Sequence, residues 1–244
     1  MSLVILASTK KWTIFAADKR GLHPTLDGSH TITENANKIY TIGKNACMGC
    51  AGVTLIREST NPKDAEQNNR NRFVEKFLER DLHTLNLQTI ANQFALHANK
   101  FLHPINSARR TYKEIDNLLN GVEEKFGNLI YNFSCLLGGY ENNRFSLFDI
   151  VLPLSEGSLT QSFLDKDFNV RSIGVINQAA TSNLEKALRE VINPEKTTPE
   201  DAAKSIAKMI AAISIIDPLV GNLVDVAVLK PGEETEIYEA SLTS

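Results

Sequence analysis

Two apolar runs separated by a short polar step open the chain and set the class of fold it can enter. Leu3–Ala7 is β-rich, Ser8–Lys11 is polar and Trp12–Ala17 is β-rich again, which predicts two antiparallel strands joined by a short turn. Asp18-Lys19-Arg20-Gly21 ends the second strand, and Gly21 to Asn37 reads as a polar loop holding Pro24 and Gly28. Lys38–Ile42 and Ala46–Ala51 form a second strand pair around Gly43-Lys44-Asn45.

From about Pro62 the period changes. Phe73, Val74, Phe77 and Leu78 share one helix face, and Leu87, Ile90, Ala91, Phe94 and Phe101 suggest a second helix ending near His103-Pro104. Ser107–Gly127, within residues 104–127, keeps helical spacing at Ile115, Leu118, Leu119 and Val122 and reads as an inserted helix. Leu129–Leu137 returns to strand, Gly138-Gly139 is expected to turn it, and Phe145–Leu152 is the next strand. Ser182-Asn183-Leu184-Glu185 reads as a capping box, and Thr198-Pro199-Glu200-Asp201 as a second helix start with proline at the first helical position. That helix should stop at Asp217-Pro218, because the residue before proline disfavours the helical region. Val224–Leu229 and Glu236–Tyr238 close the chain as strands. Strand blocks alternating with helix pairs imply an α+β protein: two mainly antiparallel sheets face to face, with helices covering the outside. No linker-like stretch divides residues 1–244, so a single domain is expected.

Composition narrows the function classes. Lys+Arg 26 against Asp+Glu 29 gives a net charge of -3, which excludes a globally basic nucleic-acid binder. No apolar run is long enough to span a bilayer, and the first residues lack a signal-peptide pattern. Three cysteines, an odd number, argue against a disulfide framework. A cytoplasmic globular protein is the expectation, with no cofactor and no metal. Cys47-Met48-Gly49-Cys50 has C-x-x-C spacing, but on a strand residues three apart point to opposite faces, and no second ligand pair follows. His83, His97 and His103 make no metal-binding helix motif, and no G-x-S-x-G elbow is present.

The chemically informative residue is Ser2. Methionine before a small residue is usually removed, which would leave Ser2 as a terminal residue carrying both a hydroxyl and an amine. A free α-amine titrates at about 7.7–8.0, so nucleophile and base would sit in one residue.

Several matched positions resemble the β subunits of proteasomes. Ser2-Leu3-Val4-Ile5-Leu6-Ala7, a turn, and Ile14-Phe15-Ala16-Ala17-Asp18-Lys19-Arg20 resemble the opening of that family, with an A-x-D-x-R segment sixteen residues after the nucleophile. Lys38-Ile39 matches the family's lysine at the start of the next strand, after a slightly longer loop, and Ala51-Gly52 its Ala-Gly step fourteen residues on. Leu136-Leu137-Gly138-Gly139-Tyr140 resembles a G-G-Y/F strand end, and Asp217-Pro218-Leu219-Val220-Gly221 a D-x-x-S-G turn. The chain departs from the pattern in having serine for threonine, Val220 for the turn serine, and Gln178-Ala179-Ala180 for a G-S-G step.

The resemblance implies a four-layer α/β/β/α sandwich of the N-terminal-nucleophile hydrolase type, acting on peptide or amide bonds. It implies Ser2 as nucleophile, Lys38 as the ammonium beside it, Asp18 as partner of Lys38, the Gly52 N–H as oxyanion donor and Asp217 as the residue that positions the amine. Ala36, Cys50 and Thr54 would line the substrate pocket. It further implies a peptide or polypeptide substrate and a homo-oligomeric ring, with neither nucleic acid nor membrane as partner. The competing reading is a ring-forming scaffold that keeps the fold without activity, favoured by the two missing serines. Taken singly, Asp18 and Lys38 read as a strand-end ion pair, Asp217 as a helix C-cap and Gly52 as a turn glycine.

Overall fold

The computed structural model describes residues 3–24, 30–52, 56–57, 70–71, 73–100, 133–152, 159–163, 167–174, 178–217 and 220–240. Ser2, Thr54 and the 104–127 insertion lie outside the described residues.

The opening hairpin forms as expected, with β1 (Val4–Thr9) pairing antiparallel with β2 (Thr13–Asp18). Both strands are buried along their whole length, because each faces apolar layers on two sides. Val4, Leu6, Phe15 and Ala17 point to one side, and Leu3, Ile5, Ala7, Ile14 and Ala16 to the other, the period-two alternation of a strand. The segment expected to be a plain polar loop instead contains a two-stranded ribbon, β3 (Gly21–Pro24) with β4 (His30–Thr33). β5 (Ile39–Ile42) and β6 (Ala46–Gly52) pair around Gly43, whose φ of 60° suits a tight turn. β7 (Ile56–Arg57) and β8 (Arg70–Asn71) pair briefly where the sequence suggested only the approach to a helix. Then follow α1 (Phe73–Leu78) and α2, residues 87–100.

β9 (Phe133–Glu141) and β10 (Arg144–Leu152) show where expectation and structure part. Gly138 and Gly139 do not turn the chain; they lie inside β9. A Cβ on Gly138 would come within 2.5 Å of Phe145 Cζ, and one on Gly139 within 2.7 Å of the Asn45 carbonyl oxygen and 2.6 Å of Ala46 Cβ. The glycines let β9 lie close to neighbouring groups, and the turn is made by Asn142 and Asn143 in the left-handed region at φ 52° and 62°. β11 (Leu159–Phe163) pairs with β10, and β12 (Phe168–Ile173) with β1.

α3 (Gln178–Val191) begins four residues before the expected capping box, so Ser182 lies in its second turn. Glu185 Oε1 accepts from the Ser172 N–H at 3.1 Å, tying the helix to β12 instead of closing a cap. α4 (Pro199–Ile216) starts as expected: Thr198 Oγ1 accepts from the Asp201 N–H at 3.1 Å, and Asp217 is the C-cap. β13 (Val224–Leu229) and β14 (Glu236–Ala240) follow.

These strands build two five-stranded antiparallel sheets, ordered β12-β1-β2-β13-β14 and β11-β10-β9-β6-β5. Three cores define four layers. One lies between the second sheet and α1–α2, where Phe73 and Phe133 meet edge-on at 5.1 Å. The middle core lies between the sheets, and the third packs Leu188, Ile206 and Ile210 of α3 and α4 on the first sheet. This is the α+β sandwich expected from the strand and helix blocks. No described helix is long and apolar enough to cross a membrane.

Candidate active site

The sandwich gathers charged groups at one end of β2. Asp18 is the last residue of that strand and fully buried. Its Oδ1 accepts from the Leu3 N–H at 2.6 Å, while its own N–H donates to the Leu3 carbonyl at 3.2 Å. The two bonds close the open end of the β1–β2 hairpin, so the residue after Ser2 is fixed directly to the aspartate. Asp18 Oδ2 accepts from the N–H groups of Arg20, at 3.1 Å, and Gly221, at 3.0 Å. Three backbone N–H groups therefore hold this one carboxylate in place.

Lys38 Nζ lies 2.8 Å from Asp18 Oδ2, with only 4% of its side chain exposed. Lys38 stands just before β5, and its carbonyl accepts from the Cys50 N–H at 2.8 Å, which pins it to β6. The ammonium approaches Asp18 at ion-pair distance but off the hydrogen-bond direction, and no described residue takes a well-directed bond from it. Burial pulls its pKa below the ordinary lysine range; the charges of Asp18 and Glu34 oppose that shift, and Arg20 reinforces it. Such an amine is a cation held in a dry place, able to lower the pKa of a hydroxyl or amine beside it.

Gly52 ends β6 with φ 95°, a left-handed conformation that suits glycine, and is exposed. Because β6 is bonded to Lys38 through Cys50, Gly52 stands two residues along the same strand from that anchor. Asp217 caps α4, and its carbonyl accepts from the Val220 N–H at 3.0 Å. The hydrogen bond that ties this turn to Asp18 comes from Gly221, one residue further on. Ala36 donates its N–H to the Lys19 carbonyl at 2.9 Å, beside the same strand end. Cys50 is fully buried among Phe73, Phe133 and Cys135 in the core under α1 and α2. Cys47 points into the middle core, so the strand divides the C-x-x-C pair between two layers. Burial pushes the Cys47 thiol well up, which leaves it protonated and unreactive at neutral pH. Thr54 and Ser2 are not among the described residues.

Two participants were not assigned roles from the sequence. Arg20 Nε donates to Glu34 Oε1 at 2.7 Å, and a Cβ on Gly221 would lie 3.0 Å from Glu34 Oε2 and 2.9 Å from Arg20 Cβ. Arg20 was visible as the end of the A-x-D-x-R segment. Glu34 had no signal beyond standing four residues before Lys38.

The fold is similar to that of Anbu. The Anbu (Gly-1) mutant from Hyphomicrobium sp. strain MC1 superposes with a TM-score of 0.58 at 16% identity, covering 100% of this chain and 89% of that one. At that identity the likeness to Anbu establishes the fold, not the chemistry. No family model and no curated protein matches the sequence.

Proposed function

We propose that the protein is a proteasome-like N-terminal nucleophile hydrolase that cleaves peptide or amide bonds with Ser2, after removal of Met1. The observation that carries this reading is the bond from the Leu3 N–H to Asp18, the partner of a buried lysine. It ties Leu3 to the carboxylate that pairs with a desolvated ammonium, an arrangement that is costly to bury unless used. The fold, similar to that of Anbu, supports it.

In this mechanism Ser2 Oγ attacks the carbonyl carbon as the Ser2 α-amine takes the hydroxyl proton. The tetrahedral oxyanion accepts from the Gly52 N–H, a donor whose loss typically costs roughly 3 kcal/mol. The amine then gives its proton to the departing nitrogen, leaving an ester on Ser2. Water attacks that ester by the same proton route and frees the acid. Lys38 holds positive charge beside the nucleophile, Asp18 orients Lys38, and Asp217 positions the amine. Ala36 and Thr54 line the side-chain pocket, whereas Cys50 is closed off in the core under α1 and α2, and the chain works in a homo-oligomeric ring.

A scaffold reading is favoured by the two missing serines: Val220, 1% exposed, stands for the turn serine of the family this chain resembles, and Gln178-Ala179-Ala180 for its G-S-G step. Intact mass of protein from its native cells separates the two. A chain starting at Ser2, carrying an ester adduct after treatment with a β-lactone, is expected. Retained Met1 with no adduct would leave the scaffold. Ser2→Ala should abolish peptide hydrolysis with the native assembly unchanged; Lys38→Ala should abolish it too, at a cost in stability because Asp18 is left buried without its partner, and undiminished turnover in either removes the assigned role.

A further inference from the structure

We propose that Glu34 is a positioning residue of this centre: its carboxylate, clamped by Arg20 and seated against Gly221, is the second counter-charge of the buried Lys38 ammonium. The inference deepens the hydrolase reading and rests on it for its kinetic arm alone.

The geometry starts from two orphaned atoms. Among the described residues, Lys38 Nζ and Glu34 Oε2 are the buried side-chain polar atoms without a hydrogen-bond partner. They carry opposite charge and border the same aspartate: Lys38 pairs with Asp18 Oδ2, and Glu34 Oε2 lies over Gly221, whose N–H donates to that same oxygen. A buried polar atom without a partner is costly, more so when charged, so two of opposite sign bordering one carboxylate are not explained by packing. Glu34 is not free to swing away. Its Oε1 is held by Arg20 Nε at 2.7 Å, and the lack of a Cβ on Gly221 makes room for Oε2.

The charges facing Lys38 are Asp18 from β2, Glu34 from the segment after β4, and Arg20 between β2 and β3. Asp18 and Glu34 favour the ammonium, whereas Arg20 and burial oppose it. Asp18 alone has to divide its charge among three N–H groups and the lysine, so a second carboxylate is what keeps Lys38 charged in a dry site. Arg20 then has a clear function: it fixes Glu34 at a set distance without neutralising the Oε2 side.

The test is Glu34→Gln, which keeps the shape and removes the charge. In protein labelled with 13C and 15N at lysine, the Lys38 side-chain resonances report its protonation directly, whether or not the protein hydrolyses anything. The expected result is a Lys38 titration midpoint lower in Glu34→Gln than in the parent. In the hydrolase assay kcat should fall about tenfold or more, with KM within about twofold and the alkaline limb of the pH profile moved the same way. An unchanged midpoint overturns the proposal. If that variant does not fold, Glu34→Ala, which removes the whole carboxylate, should likewise lower the Lys38 midpoint, and an unchanged or raised midpoint overturns the proposal equally. A shifted midpoint in a protein without hydrolysis retains Glu34 as counter-charge and refutes only the hydrolase reading.

Discussion

Lys38 and Asp18 bind each other where neither would be tolerated alone. Burying one unpaired charge costs several kcal/mol, and removing one partner of such a pair typically costs about 3–5 kcal/mol. Lys38→Met should therefore destabilise the fold by about 3 kcal/mol in urea unfolding at neutral pH, because Asp18 stays fully buried beside an apolar side chain. Lys44→Met, on the exposed β5–β6 turn, should stay within about 0.5 kcal/mol. Equal effects from the two would mean that the ion pair does not hold this end of β2. Both members of the pair were legible in the sequence, as acid and base at spacings that match a known pattern. Glu34 and the Gly221 N–H were not, because a glutamate in a polar loop and a glycine in a turn are ordinary until a partner is brought to them.

At the scale of elements, strands whose side chains alternate were legible, and so was a helix with a proline start and a stop before proline. Gly138-Gly139 misled, because two consecutive glycines signal a turn only when nothing demands close approach. Here β9 has Phe145 on one side of Gly138, while Gly139 abuts Asn45 and Ala46, so the missing Cβ atoms serve packing. Gly139→Ala should cost about 3 kcal/mol, since its Cβ would press on the backbone at Asn45 and Ala46, which cannot rotate away. Asn143→Gly, at the left-handed turn position, should change stability by less than about 1 kcal/mol. Thermal melts of the two variants decide whether packing or turning is the glycines' role. Ser182-Asn183-Leu184-Glu185 misled for a related reason. Gln178-Ala179-Ala180 extend the helix upstream, and Glu185 found a strand N–H to accept from.

Across the whole molecule, two sheets and two helical layers bury three separate apolar cores, and the charged cluster sits where β2, the Lys38 segment and Gly221 converge. If this chain works in a ring, as proposed, its native mass in sedimentation should be a multiple of 27.0 kDa at micromolar concentration, and a purely monomeric species would remove the ring from the proposal. The sequence by itself determined the strand and helix blocks, their layered class and the acid–base pair, because periodicity and spacing are local properties that survive in one dimension. Only the tertiary structure decided that the Gly221 N–H, 203 residues away, completes Asp18 and that Arg20 holds Glu34 against Gly221. Those contacts arise from how loops between distant strands come to rest on one another, and the strength of a charge in such a place depends on the water that packing excludes.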